Sequence, residues 1–176
     1  MEKIRQIVEN QNRWRRKECI NMIASESVMS PLAESYSKSD FEGRYNEHTG
    51  QDIHYKGTKY SYEIEELCND LFRKKFDTKF ADVRPISGAM ANQAVYTAFT
   101  KPADIIVCLG IPNGAHASHT SSGLAGAMGL KSVDMYFDRE KMNINPEKTI
   151  ELIERVHPKL VMFGASMFLF PEPVEK

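Results

Sequence analysis

The chain has 176 residues, 41% apolar and 27% charged, enough for one domain with a core of its own. A formal net charge of −1 gives no electrostatic reason to expect nucleic acid or an anionic membrane as a partner. The longest apolar runs, 105–109 and 160–164, are too short for a bilayer span, and the charged amino terminus lacks the apolar block of a signal peptide.

Residues 1–20 set Ile4, Ile7, Val8, Trp14 and Ile20 among charges, and the early spacing predicts an amphipathic helix that docks on something larger. Ser30 followed by Pro31 is a helix start, a hydroxyl at the N-cap and a proline at N1. Residues 41–58 show no sustained period and read as one long loop. Ile64, Leu67, Cys68, Leu71 and Phe72 repeat at helical intervals, and Arg73, Lys74 and Lys75 suit the helix's C-terminal dipole. Beyond this helix, strands are predicted at 80–84, 104–109, 132–137 and 159–163. Helices are predicted at 89–99, 117–128 and 146–156, the last capped by Asn145. Alternation of this kind predicts an α/β unit with a mostly parallel sheet flanked by helices. The expected division is a helical or extended segment over 1–60 and the sheet unit over 61–176. The three cysteines, Cys19, Cys68 and Cys108, are far apart and lack any Cys-x-x-Cys pair. Reduced thiols and a cytoplasmic setting are therefore expected, with no disulfide framework or zinc ribbon.

Three constellations could carry chemistry. Arg84-Pro85-Ile86-Ser87-Gly88 joins a predicted strand to a helix. Unpaired N–H groups at such a junction, with the helix dipole, attract an anion, although an ordinary N-cap has the same residues. His116 and His119 lie three apart in Gly-Ala-His-Ala-Ser-His. Without a third ligand at compatible spacing a metal is not expected. One imidazole stacked on an aromatic ligand and a helix-start histidine satisfied by backbone both remain open. Glu47 sits in the loop between Tyr45 and His48; it is a solvated acid, or a proton-transfer group if burial raises its pKa. Gly123, Gly126 and Gly129 do not form a dinucleotide fingerprint and indicate tight packing or mobility.

Taken in order, Ile-Ala-Ser-Glu at 23–26, Arg-Tyr-x-Glu at 44–47, Ser-Gly-x-x-Ala-Asn at 87–92, Ala-Val-Tyr-Thr-Ala at 94–98 and Gly-x-His-x-x-His at 114–119 resemble serine hydroxymethyltransferase. That resemblance implies the type I pyridoxal-phosphate (aminotransferase-like) fold and a homodimer or tetramer with active sites at the subunit interface. It also implies interconversion of serine and glycine, with a one-carbon unit passed to a tetrahydrofolate or tetrahydropterin carrier. Position by position, it casts Ser25 as a ligand of the substrate carboxylate. Tyr45 would reach the cofactor phosphate from the neighbouring subunit, Glu47 would be the acid–base group on the serine hydroxyl, and Tyr55 the second tyrosine of that segment. Ser87, Gly88 and Ala89 correspond to the phosphate loop, His116 to the histidine stacked on the pyridine ring, and Ser166 to a serine near the cofactor's phenolic oxygen.

Two departures from the family pattern are His48-Thr49-Gly50 after Glu47, and Ala89 where many members have serine. The resemblance also places the cofactor lysine, the aspartate of the pyridine nitrogen and the substrate-clamping arginine beyond residue 176. Lys101, Lys131 and Lys159 lack the Thr-His-Lys context and read as solvent-facing. The chain is therefore expected to be the amino-terminal portion of such an enzyme, of an archaeal or diverged member, truncated before the lysine and inactive alone. The alternatives are a threonine aldolase- or transaldolase-like enzyme, and a non-catalytic partner subunit.

Overall fold

The computed structural model describes residues 1–23, 25–49, 52–53 and 55–175. Ala24 of the 23–26 motif, Gly50 and Lys176 lie outside them. The chain divides into two compact units, Met1–Arg44 and Tyr45–Lys176.

In the first unit, helix α1 (Glu2–Arg13) runs into a π-helical turn, Trp14–Glu18. Its apolar side is uncovered, with Ile4, Ile7, Val8 and Trp14 all exposed. Helix α2 (Pro31–Tyr36) begins as its sequence dictates: the Ser30 hydroxyl accepts from the Ala33 N–H at 3.2 Å, and Pro31 occupies the first turn, where its missing N–H costs nothing.

The second unit is built on a three-stranded parallel sheet in the order β4 (Lys131–Asp134), β3 (Ile105–Cys108), β7 (Leu160–Met162). Ile106 pairs with Ser132 on one side and Leu160 on the other. Because side chains alternate along a strand, β3 feeds two separate cores. Val107 packs with Leu109, Ala115, Met135, Ile144 and Leu152, the last from helix α6 (Pro146–Val156). Ile106 packs on the other face with Tyr96 from helix α4 (Gly88–Phe99), Ala125 from the short helix α5 (Leu124–Ala127), and Leu130. Burial on both faces explains the unbroken apolar run at 105–107. Helix α3 (Lys59–Phe76) follows its predicted periodicity, and α6 is capped by Asn145 accepting from the Lys148 N–H at 3.0 Å.

Four expectations are corrected. Residues 80–84 do not form a strand: the Val83 N–H donates to Asn69 Oδ1 and the Arg84 N–H to Asp82 Oδ1, so side chains take the bonds a ladder would need. The 41–58 loop contains a two-residue hairpin, β1 (His48–Thr49) with β2 (Asp52–Ile53). The helix expected at 117–128 is broken into a 3₁₀ turn, Ala117–His119, and α5. The cause is close packing: a Cβ on Gly123 would collide with the Ala117 carbonyl, so the chain folds back on itself there. The strand expected at 132–137 stops at Asp134, because Phe137 leaves the sheet to pair with Ile144 in a second hairpin, β5 (Phe137–Asp138) and β6 (Asn143–Ile144).

Among the described residues no helix is long and apolar enough to cross a membrane. The three cysteines are free. Burial pushes the Cys108 thiol up to about 11, with Asp134 adding to the effect. At pH 8 about one molecule in a thousand then carries the reactive thiolate. Titration with a disulfide reagent is expected to label the partly exposed Cys19 and Cys68 in the native protein, and Cys108 only after denaturation.

Candidate functional site

The carboxyl ends of parallel strands open onto one edge of a sheet, and there the loops leaving β3 and β7 meet the amino terminus of α4. Ser87, Gly88, Ala89, Asn92, His116, His119 and the 164–166 segment line an open cavity of about 460 Å³. Five residues singled out from the sequence, Ser87, Gly88, Ala89, His116 and Ser166, lie together on its wall.

Each wall has a local cause. Ser87 caps α4, its hydroxyl accepting from the Met90 N–H at 3.2 Å, while Ala91 N–H bonds the Ser87 carbonyl at 3.1 Å. The N–H groups of Gly88 and Ala89, in the first turn, have no partner within the helix. Nothing lies within 4 Å of where a Cβ on Gly88 would stand, so the space before them is open to an anion. Ser166, just beyond β7, is drawn to the turn after β3 by the Gly114 carbonyl, which accepts from both Ser166 N–H (2.8 Å) and Met167 N–H (3.2 Å). Gly114 sits at φ +101°, and a side chain there would drive into the Met167 carbonyl. Glycine is thus demanded twice over, by backbone conformation and by contact.

His116 is held by Asn92, which the 87–92 motif contains without a role, and by Ser118, which no motif names. The Ser118 N–H donates to its Nδ1 at 3.2 Å, and the Ser118 hydroxyl lies 2.8 Å from the same nitrogen while accepting from Asn92 Nδ2 at 2.9 Å. With donors converging on Nδ1, the neutral ring carries its proton on Nε2. Asn92 was legible in principle: it lies four residues after Gly88 and so shares its helix face. Ser118, between the two histidines, gave no such signal.

His119 has a different task. It is buried, its Nδ1 is 3.3 Å from the Tyr96 hydroxyl, and its carbonyl accepts from Cys108 Sγ (3.2 Å) and Ser132 Oγ (2.8 Å). That carbonyl ties the turn to both β3 and β4. The two imidazoles stand edge to face at 6.4 Å. Among the described residues no cluster of three His, Cys, Asp or Glu side chains suits a metal.

The remaining sequence candidates lie elsewhere. Tyr45 and Tyr55 stack on each other at 5.0 Å, and neither they nor the exposed Glu47 line this cavity. Ser25 is exposed in the first unit.

A pocket at the carboxyl edge of a parallel sheet, with open helix-terminal donors on one wall and an imidazole on another, defines an α/β protein with room for a small anion. The family model described as serine hydroxymethyltransferase matches residues 2–170, and the chain belongs to that family. Over all 176 residues it is 48% identical to a serine hydroxymethyltransferase of Sulfolobus acidocaldarius and 45% to one of Saccharolobus islandicus; over 175 residues it is 43% identical to one of Metallosphaera sedula. These alignments take in 99–100% of the chain but 41% of each relative's length.

Two measurements follow. Burial, reinforced by His116, holds the His119 imidazole below its usual pKa of 6.5. A depressed histidine binds its proton more readily when unfolded, so the stability is intact above about pH 6.5 and falls as pH drops toward the folded value. The slope is at most about 1.4 kcal/mol per pH unit. Denaturant titrations across pH 5–7 are expected to show this loss in the parent chain and a flatter profile in His119→Asn. Through-bond ¹⁵N NMR of the imidazoles at pH 8 is expected to show His116 with its proton on Nε2, and to find it there still in Ser118→Ala, whose backbone N–H continues to donate to Nδ1.

Proposed function

We propose that the full-length protein of which this chain forms part interconverts serine and glycine, passing a one-carbon unit to a reduced folate or pterin carrier, with pyridoxal phosphate as cofactor. The observation that carries this reading is the meeting of Ser87, Gly88, Ala89, His116 and Ser166 on one cavity in a chain of this family. When bound, the cofactor supplies an electron sink that makes proton or carbon loss at the amino-acid α-carbon accessible.

The residues of this chain supply the setting. The Gly88 and Ala89 N–H groups, the Ser87 hydroxyl and the α4 dipole would hold the phosphate, with Ala89 contributing only its backbone. The His116 ring, fixed through Ser118 and Asn92, would lie on the pyridine face. Ser166 would approach the phenolic oxygen. Glu47 would move the proton of the serine hydroxyl, Tyr45 would reach the phosphate of a neighbouring subunit, Tyr55 would complete that segment, and Ser25 would bind the substrate carboxylate. A cytoplasmic homodimer or tetramer with shared sites is part of the same reading, as is an inactive 1–176 chain lacking the covalent lysine.

The test is serine-to-glycine conversion by the full-length protein, with and without the carrier. Glu47→Gln is expected to lower kcat about 10²- to 10⁴-fold, the range for a lost acid–base group. Ser87→Ala is expected to weaken cofactor binding about tenfold. Product formation without any carrier would favour an aldolase-like reaction instead. For the 1–176 chain, borohydride treatment with pyridoxal phosphate is expected to leave no cofactor on a defined lysine, as read by peptide mass.

A further inference from the structure

Residues 45–48 alternate in exposure as an extended segment does: Tyr45 and Glu47 face out, Asn46 and His48 are half-hidden. Both inward residues end on one carboxylate of α3. Asn46 Nδ2 donates to Glu65 Oε1 at 2.7 Å, and His48 Nε2 meets Glu65 Oε2 at 2.5 Å, with side-chain exposures of 10% for His48 and 21% for Glu65. The His48 ring also stands edge-on to Tyr62, one turn before Glu65 on the same helix. Both oxygens of Glu65 are therefore committed to the two neighbours of Glu47, and hydrogen bonds to a partly desolvated carboxylate are among the stronger kind.

We propose that Glu65 is a positioning residue: by clamping Asn46 and His48 it fixes the 45–48 segment against α3 and presents Tyr45 and Glu47 together on the outward face. This deepens the functional reading above, since it matters for turnover only if Glu47 transfers a proton. It also assigns a purpose to His48, the first residue at which this chain leaves the family pattern. A side chain at 48 able to bond Glu65 adds a second anchor immediately after the acid–base position. A one-residue slip of this segment would turn Glu47 inward and lose both bonds, so the clamp sets register as well as distance.

The experiment uses the full-length protein and two independent readouts. Amide hydrogen exchange at 45–48 is expected to quicken about tenfold or more in Glu65→Ala, with 105–108 unchanged. In the same variant kcat is expected to fall about tenfold while KM for serine stays within about twofold. Glu65→Gln keeps an acceptor for Asn46 and offers His48 an N–H in place of a carboxylate oxygen, which the ring takes by accepting at Nε2, and is expected to recover most of both effects. In a Glu47→Gln background, Glu65→Ala is expected to add almost no further loss of kcat. If Glu65→Ala does not fold, Asn46→Ala and His48→Ala each remove one arm and are expected to quicken exchange separately. Unchanged exchange at 45–48 in a folded variant overturns the proposal, as does full additivity of the Glu47 and Glu65 substitutions. Undiminished kcat in Glu47→Gln would instead overturn the proton-transfer reading, and the exchange result would still decide the clamp.

Discussion

The middle strand, β3, is the constraint on which the second unit depends. It is hydrogen-bonded on both edges and packed on both faces, with Ile106 and Val107 fully buried in different cores. A strand so placed cannot shift register without exchanging one core for the other. Its end is therefore a fixed point, and the turn that follows, 110–120, carries His116, Ser118 and His119 out from it at one position. The parallel neighbour β7 delivers Ser166 to the same edge.

Polar groups then refine what the sheet has gathered. The Gly114 carbonyl draws in the backbone of 166–167, and the His119 carbonyl ties the turn to side chains on β3 and β4. The Asn92–Ser118–His116 chain links α4 to the turn and leaves the ring proton on Nε2. Buried hydrogen-bond networks of this sort impose a single geometry because leaving any member unpaired costs more than its bond contributes. The cavity is thus shaped by backbone and second-layer contacts as much as by the residues on its wall.

The second cluster of candidates obeys a different logic. Tyr45 and Tyr55 stack on each other, and the residues on either side of Glu47 bond Glu65. The uncovered apolar side of α1 belongs to the first unit and shows how much of this chain's surface is hydrophobic.

Local rules were enough for several elements. Ser30-Pro31, Asn145-Pro146 and Ser87-Gly88 each announce a helix start through groups that act within one turn, and all three helices begin there. The apolar run at 105–107 announces a buried strand for an equally local reason. What the residues alone could not decide were contacts that form only when the chain folds back on itself. The 80–84 stretch alternates like a strand, but Asn69 and Asp82 take its donors. The 117–128 stretch has the small residues of a helix, but must bend where Gly123 meets Ala117. The ordered motifs identify the family and name most of the cavity wall. Only tertiary packing could add Glu65 and join Asn92 to Ser118, because these partners lie 17–19 and 26 positions apart, and side-chain hydrogen bonds at such separations leave no periodic trace in a sequence.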